Sequence, residues 1–131
     1  MVELHASWKV IENNTLADLK MNKPLRVALL GLGTVGSGTF NVLNTNASEI
    51  ERRVGFPIQI KVIADLNTEK ARELAGPGVE VLGDAFEAVK RDDIDVVVEL
   101  IGGYTIAKQL VLAAINAGKH VLSESARRQF F

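Results

Sequence analysis

Residues 25 to 36 read Leu-Arg-Val-Ala-Leu-Leu-Gly-Leu-Gly-Thr-Val-Gly, a short apolar run passing directly into Gly-x-Gly-x-x-Gly. The apolar run suits a strand covered on both faces. The three glycines act differently, since Gly31 allows a tight turn, Gly33 lets the backbone approach a pyrophosphate, and Gly36 lets the following helix pack against the strand. Backbone N–H groups at that helix start have no acceptor within the helix and face an anion. The glycine pattern alone also arises by chance in loops, so the strand before it and the helix after it are what make it informative.

The same alternation continues downstream. Between Thr34 and Val54 the positions Val35, Thr39, Val42, Leu43, Ala47, Ile50 and Val54 step by three and four, which predicts one long helix with that side inward. Gly55-Phe56-Pro57 stops it. Ile58 to Ala64 reads as a second strand, with Ile58, Ile60 and Val62 alternating. Asp65-Leu66-Asn67-Thr68 offers caps for a helix through Ala75, Val79 to Leu82 forms a third strand, and Asp84 caps a short helix to Arg91. Ile94 to Leu100 is the fourth strand, Ile106, Leu110, Ala113, Ala114 and Ala117 line a further helix ending at Gly118, and His120 to Leu122 begins a fifth strand. Short loops and right-handed crossovers then predict an α/β, Rossmann-like, doubly wound parallel sheet of five strands in the order 3-2-1-4-5.

Length and charge narrow the possibilities. A chain of 131 residues predicts one domain, here residues 23–123, preceded by an extension at 1–22 that is either a short amphipathic helix or disordered, and followed by a tail at 124–131. The formal net charge of -1, with no long like-charge block, argues against nucleic acid as a partner. The absence of cysteine removes disulfides, a thiolate nucleophile and cysteine-based metal sites. No apolar run reaches the ~18–20 residues of a membrane span, and no secretory signal opens the chain, so a cytoplasmic protein is expected.

In a doubly wound sheet the ligand lies where the winding reverses, at the carboxyl ends of strands 1 and 4. The candidate cofactor-binding residues are therefore Gly31, Gly33, Thr34, Val35 and Gly36 from the first loop, and Ile101, Gly102 and Gly103 from the second. Thr34 adds a hydroxyl donor. Asp65, 29 residues after Gly36, ends the second strand; it either meets the adenosine ribose, which favours NAD over NADP, or caps the next helix. Glu99 either lines the crevice or is held by nearby backbone N–H groups. His5 and His120 stand alone, Lys108 and Lys119 read as surface charges, and Asp92, Asp93 and Asp95 read as a solvated loop. No catalytic or metal-ligating constellation is present.

Four blocks carry a family resemblance: Lys-Pro-Leu-Arg-Val-Ala-Leu-Leu-Gly-Leu-Gly-Thr-Val-Gly (23–36), Ile-Glu-Arg-Arg-Val-Gly (50–55), Asp-Val-Val-Val-Glu-Leu-Ile-Gly-Gly-Tyr (95–104) and Ala-Gly-Lys-His-Val (117–121). In this order they resemble bacterial homoserine dehydrogenase over its N-terminal cofactor domain. The resemblance implies NAD or NADP as cofactor and interconversion of L-homoserine and L-aspartate 4-semialdehyde, in the branch leading to threonine and methionine. It also implies that the substrate domain, the catalytic residues and the dimer interface lie outside this chain. The family continues strand 5 with Thr/Ser-Ala-Asn-Lys-Ala, whereas this chain reads Ser123-Glu124-Ser125-Ala126-Arg127-Arg128-Gln129-Phe130-Phe131. Only Ser123 matches, and it joins the cofactor-binding candidates.

The chain alone is accordingly expected to bind a dinucleotide without turning over homoserine. Under one choice of codons, residues 127–131 encode Lys-Ala-Ile-Leu one frame over, so a frameshift near codons 123 to 126 is expected, with deliberate shortening as its rival; reading the downstream gene in three frames tests it. A stand-alone nucleotide-binding or redox-sensing module is the alternative function, and another amino-acid or sugar dehydrogenase the alternative family.

Overall fold

The computed structural model describes residues 23–103 and 105–125, so the expectations for 1–22 and for 126–131 lie outside the described residues. Five strands, β1 (Leu25–Leu30), β2 (Ile58–Ala64), β3 (Glu80–Leu82), β4 (Val96–Glu99) and β5 (His120–Ser123), pair in parallel in the order β3-β2-β1-β4-β5. That is the expected topology. Helices α1 (Thr34–Thr45), α2 (Ala47–Val54) and α3 (Thr68–Ala75) join the strands on one side of β1, while α4 (Ala85–Val89) and α5 (Thr105–Asn116) lead across to β4 and β5.

Alternate residues of the central strands feed two cores. Ala28, Leu30, Val62, Ala64 and Val97 pack with Ala88 and Val89 of α4 and with Leu110 and Ala114 of α5. Leu29 and Ile63 face the other way, onto Phe40 of α1 and Ala71 and Ala75 of α3. β1 is buried along most of its length because it lies at the centre of both layers.

Two expectations are corrected here. β2 does not alternate regularly: Val27 pairs with Ile60 but Ala28 pairs with Val62, leaving Lys61 as the extra residue of a bulge. Ile60 and Val62 therefore pack on opposite faces. The long first helix is also divided at Asn46 (φ −106°, ψ 19°), whose backbone N–H and side-chain amide both donate to the Val42 carbonyl, at 3.0 and 2.9 Å. Asparagine competes with the helix for its own backbone groups, and the axis breaks there.

The buried side of α1 is Gly36 and Phe40, while Val35 and Val42 are about half exposed. The expected period holds, but its phase is one residue off, a rotation of roughly 100°. In α5 the buried positions are Ala107, Leu110 and Ala114, and Ile106 is half exposed. Helix ends follow the sequence more closely. Gly55 takes φ 88° and closes α2 onto the Glu51 carbonyl, and Asp84 accepts from the Phe86 N–H at the start of α4. Asn67, rather than Asp65, caps α3 by accepting from the Lys70 N–H.

The aspartates before β4 are not a solvated loop. Asp92 is exposed, but Asp95 accepts two side-chain bonds and one backbone bond from Arg26, at 2.9 to 3.1 Å. Asp93 receives a bidentate pair from Arg91 at 2.8 Å and Lys61 at 3.2 Å, and Arg91 also pairs with Glu80. The bulge is what leaves Lys61 out of the ladder and within reach of Asp93. Lys119 donates to the Arg91 carbonyl and is half-buried rather than a free surface charge. The amino ends of the strands are thus tied by a charged network.

Hydrogen bonds from Arg91 hold the Asp93 carboxyl well below its ordinary range, and hydrogen bonds from Arg26 lower that of Asp95. Depressed folded-state values stabilise the protein at pH above the unfolded value, about 3.9, and this stabilisation is lost as pH falls through the folded values. Thermal unfolding should therefore be nearly level from neutral pH to about 5 and decline steeply below about 4. Asp95→Asn should lower the unfolding free energy at neutral pH by about 1 kcal/mol, a figure held down by solvent screening of this partly exposed pair, and should flatten the acid decline. Denaturant melts at pH 7 and pH 3.5 measure both.

Candidate functional site

One row of paired residues runs across the sheet at its carboxyl rim: Leu82, Ala64, Leu30, Glu99 and Ser123. Every strand ends on this row, so the loops that follow all rise from one line. Three backbone bonds extend the ladder one residue further: Gly31 N–H to the Ala64 carbonyl, Asp65 N–H to Leu82, and Leu100 N–H to Leu30. Pairing thus continues one residue past the row before the loops begin.

The glycine turn is built on two close approaches. A Cβ on Gly36 would sit 2.1 Å from the Gly31 carbonyl oxygen, so only glycine allows α1 to start this near the turn. Gly31 has φ 96°, and a Cβ there would meet the backbone and side chain of Ile101 at 3.0 Å. Gly33 differs from both: it precedes α1 with φ −70°, and a Cβ on it would meet nothing within 4 Å. The space beside Gly33 is open.

The helix start that follows Gly33 carries donors without an intrahelical acceptor. The first helical bond of α1 runs from the Ser37 N–H to the Gly33 carbonyl at 2.8 Å, so the N–H groups of Thr34, Val35 and Gly36 have no acceptor in the helix. α1 has neither a side-chain cap nor an acidic residue in its first turn. Thr34 and Val35 are exposed at this edge. A helix start with free donors and no carboxylate favours an anion.

Two carboxylates brace the loops from either side of β1. Asp65 accepts from the Leu32 N–H at 2.6 Å and from the Asn67 N–H at 2.8 Å, joining the glycine turn to the loop that begins α3. Glu99 is fully buried. It accepts from the Ile101 N–H at 2.8 Å, the Ser123 hydroxyl at 2.6 Å and the Ser125 hydroxyl at 3.0 Å. Of the two readings open for Glu99, retention by backbone N–H describes one of its three bonds, and serine hydroxyls supply the others.

A cleft of about 780 Å³ lies between the loops. Of the candidate positions, Gly31, Asp65, Ile101, Gly102 and Gly103 line it, while Gly33, Thr34, Val35 and Gly36 form the adjacent helix start outside its lining. Ser123 stands at the β5 end of the rim, engaged with Glu99. The sequence reading missed the third-strand loop, where Gly83, Asp84, Ala85 and Phe86 close the far wall, and the exposed Ile106 that overhangs it. A signal was available: Gly83-Asp84 follows a strand that must end on the same rim. Walls of this kind, mostly apolar with Asp65 and Asp84 at their edges, suit a flat heterocycle attached to a polar sugar. Together with the open space at Gly33, the arrangement has the shape and donors to accept a dinucleotide.

Comparison with known proteins agrees with this geometry. Residues 31–127 match the family model described as the NAD binding domain of homoserine dehydrogenase. A homoserine dehydrogenase of Methylobacillus glycogenes is 55% identical over 101 residues, covering 77% of this chain and 24% of that protein. One from Neisseria gonorrhoeae is 50% identical over 105 residues, covering 80% of this chain and 24% of its own length. The crystal structure of a homoserine dehydrogenase from Thiobacillus denitrificans superposes with a TM-score of 0.72 at 47% identity, over 81% of this chain and 25% of that one. An NAD binding oxidoreductase from Klebsiella pneumoniae reaches a TM-score of 0.63 at 27% identity. The chain thus spans about a quarter of the length of the relatives it matches. It belongs to the homoserine dehydrogenase family and carries that family's NAD-binding domain.

Proposed function

We propose that residues 23–123 bind a nicotinamide dinucleotide for the interconversion of L-homoserine and L-aspartate 4-semialdehyde, in the cytoplasmic branch toward threonine and methionine. The observation that carries this reading is the open space at Gly33 in front of three uncommitted N–H groups. The diphosphate lies against Thr34, Val35 and Gly36, and Gly33 admits it to van der Waals distance. The adenosine half occupies the cleft beside Asp65, Phe86 and Ile106. Ile101, Gly102 and Gly103 border the crevice on the β4 side, and Ser123 lies toward the nicotinamide. When bound, the nicotinamide supplies the hydride acceptor or donor; this chain's residues orient it and exclude water along one side.

Asp65 favours NAD over NADP in this reading. Its carboxylate lies at the cleft wall, where a 2′-phosphate would bring like charge. Substrate residues and the dimer interface belong to the remainder of the family's length. The sheet supports this division: Val121 of β5 packs beneath α5, but its neighbour Leu122 is 65% exposed on the opposite face.

Calorimetric titration with NAD and NADP tests the assignment directly. Gly33→Ala should keep the fold, costing no more than about 1 kcal/mol, yet weaken dinucleotide binding by at least about tenfold. Unchanged affinity would refute the diphosphate placement. Gly36→Ala should instead strike the fold, lowering the melting temperature by about 10–15 °C through overpacking against the Gly31 carbonyl.

Asp65→Asn, which retains an acceptor for the Leu32 N–H while removing the charge, should raise NADP affinity relative to NAD by about three- to tenfold. An unchanged ratio would remove Asp65 from cofactor selection. The chain by itself should oxidise no homoserine with either cofactor, and measurable turnover would overturn the assignment of substrate chemistry to the remainder.

A further inference from the structure

Glu99 is the one fully buried charged side chain among the described residues, and nothing in the nucleotide reading above uses it. Leu29, Ile63 and Val97 occupy neighbouring central-strand positions with ordinary apolar side chains. A hydrocarbon would fill such a site without the desolvation cost that a buried carboxylate carries. The charge is therefore poor evidence of a stabilising role, and its three bonds describe what it does instead. One runs to the loop after β4, at Ile101, and two run to the end of β5 and beyond, at Ser123 and Ser125.

Ile101 in turn lies against Gly31, so closely that a Cβ on Gly31 would be 3.0 Å from its Cα. A continuous set of contacts thus passes from Ser125 and Ser123 through Glu99 and Ile101 to the glycine turn, crossing β5, β4 and β1 at the rim. We propose that Glu99 is a positioning residue for the dinucleotide: it fixes the Ile101–Gly103 loop relative to both the glycine turn and the end of β5, and so sets the crevice for binding. This rests on the nucleotide reading above. Its consequence is that the residue matters more to affinity than to stability.

The experiment compares Glu99→Leu and Glu99→Gln with the parent chain by NADH fluorescence titration, thermal melting and amide exchange at Ile101. The leucine variant should weaken NADH binding by at least about tenfold while its melting temperature stays level or rises, and Ile101 exchange should accelerate without change in the β1 amides. Glutamine keeps an acceptor for the Ile101 N–H and an amide for the serines, so it should recover affinity to within about threefold of the parent.

Parent-like NADH affinity in the leucine variant overturns the proposal, as does a joint loss of affinity and stability that glutamine fails to restore. Should the leucine variant not fold, Glu99→Met, an unbranched side chain of similar length with no carboxylate to accept from Ile101, is scored against the same thresholds. A parent chain that binds no NADH fails the nucleotide reading as well; a parent that binds, with variants that match it, fails this inference alone.

Discussion

The start of α1 lies so near the Gly31 carbonyl that no side chain can stand between them, and the arrangement of the carboxyl rim follows from that approach. Because position 36 carries no Cβ, the helix begins at the lip of the strand instead of a turn further out. Its unpaired N–H groups then stand beside the cleft at the rim of the sheet. The Leu32 N–H is directed to Asp65, which holds the turn in place. Any residue larger than glycine at 36 would move the helix start, and with it the donors of Thr34 and Val35.

The two ends of the sheet are secured by different chemistry. At the amino ends, guanidinium and ammonium groups of Arg26, Arg91 and Lys61 meet Asp93 and Asp95 in partly exposed pairs. These tolerate solvent because both partners remain charged in it. At the carboxyl ends the carboxylates of Asp65 and Glu99 accept from backbone N–H and serine hydroxyl groups. They brace loops on either side of β1 and leave the helix start as the exposed positive feature of the rim. Charge serves rigidity at one end and loop placement at the other.

Topology was legible because it rests on signals that survive without tertiary knowledge: apolar runs, helix stops at Gly55 and Gly118, and the glycine turn. Which side of α1 faces inward was not. The inward line begins at Gly36, a residue with no side chain to mark it, so the eye follows Val35 and Val42 although Phe40 is the side chain that packs. The bulge at Lys61 was equally hidden, since Ile60 and Val62 look like an ordinary alternating pair until their partners on β1 are known. The cleft-lining residues Gly31, Asp65 and Ile101 to Gly103 are marked in the sequence by motif and rim position. The wall made by Gly83 to Phe86 carries no motif and emerges only when β3 is seen to end on the same row. For Asp93, Asp95 and Glu99 the residue types were noted, but their partners lie far away in sequence and no local spacing announces them.

Along the row Leu82–Ala64–Leu30–Glu99–Ser123 the packing changes from the centre of the sheet to its β5 edge. Beneath its central members the two faces are covered, β2 by α2, α3 and α4, and β1 by α1 and α4. At β5 the two diverge: Val121 is covered and Ser123 is held by Glu99, while Leu122 between them is turned outward and largely bare. An apolar face at the edge of a sheet is a surface on which further polypeptide gains by packing. Here Leu122 lies next to Ser123 at the β5 end of the rim, and the relatives carry about three times this chain's matched length in addition. The chemistry of β5 thus changes within one residue, from a hydroxyl tied to Glu99 at Ser123 to a largely bare leucine at 122.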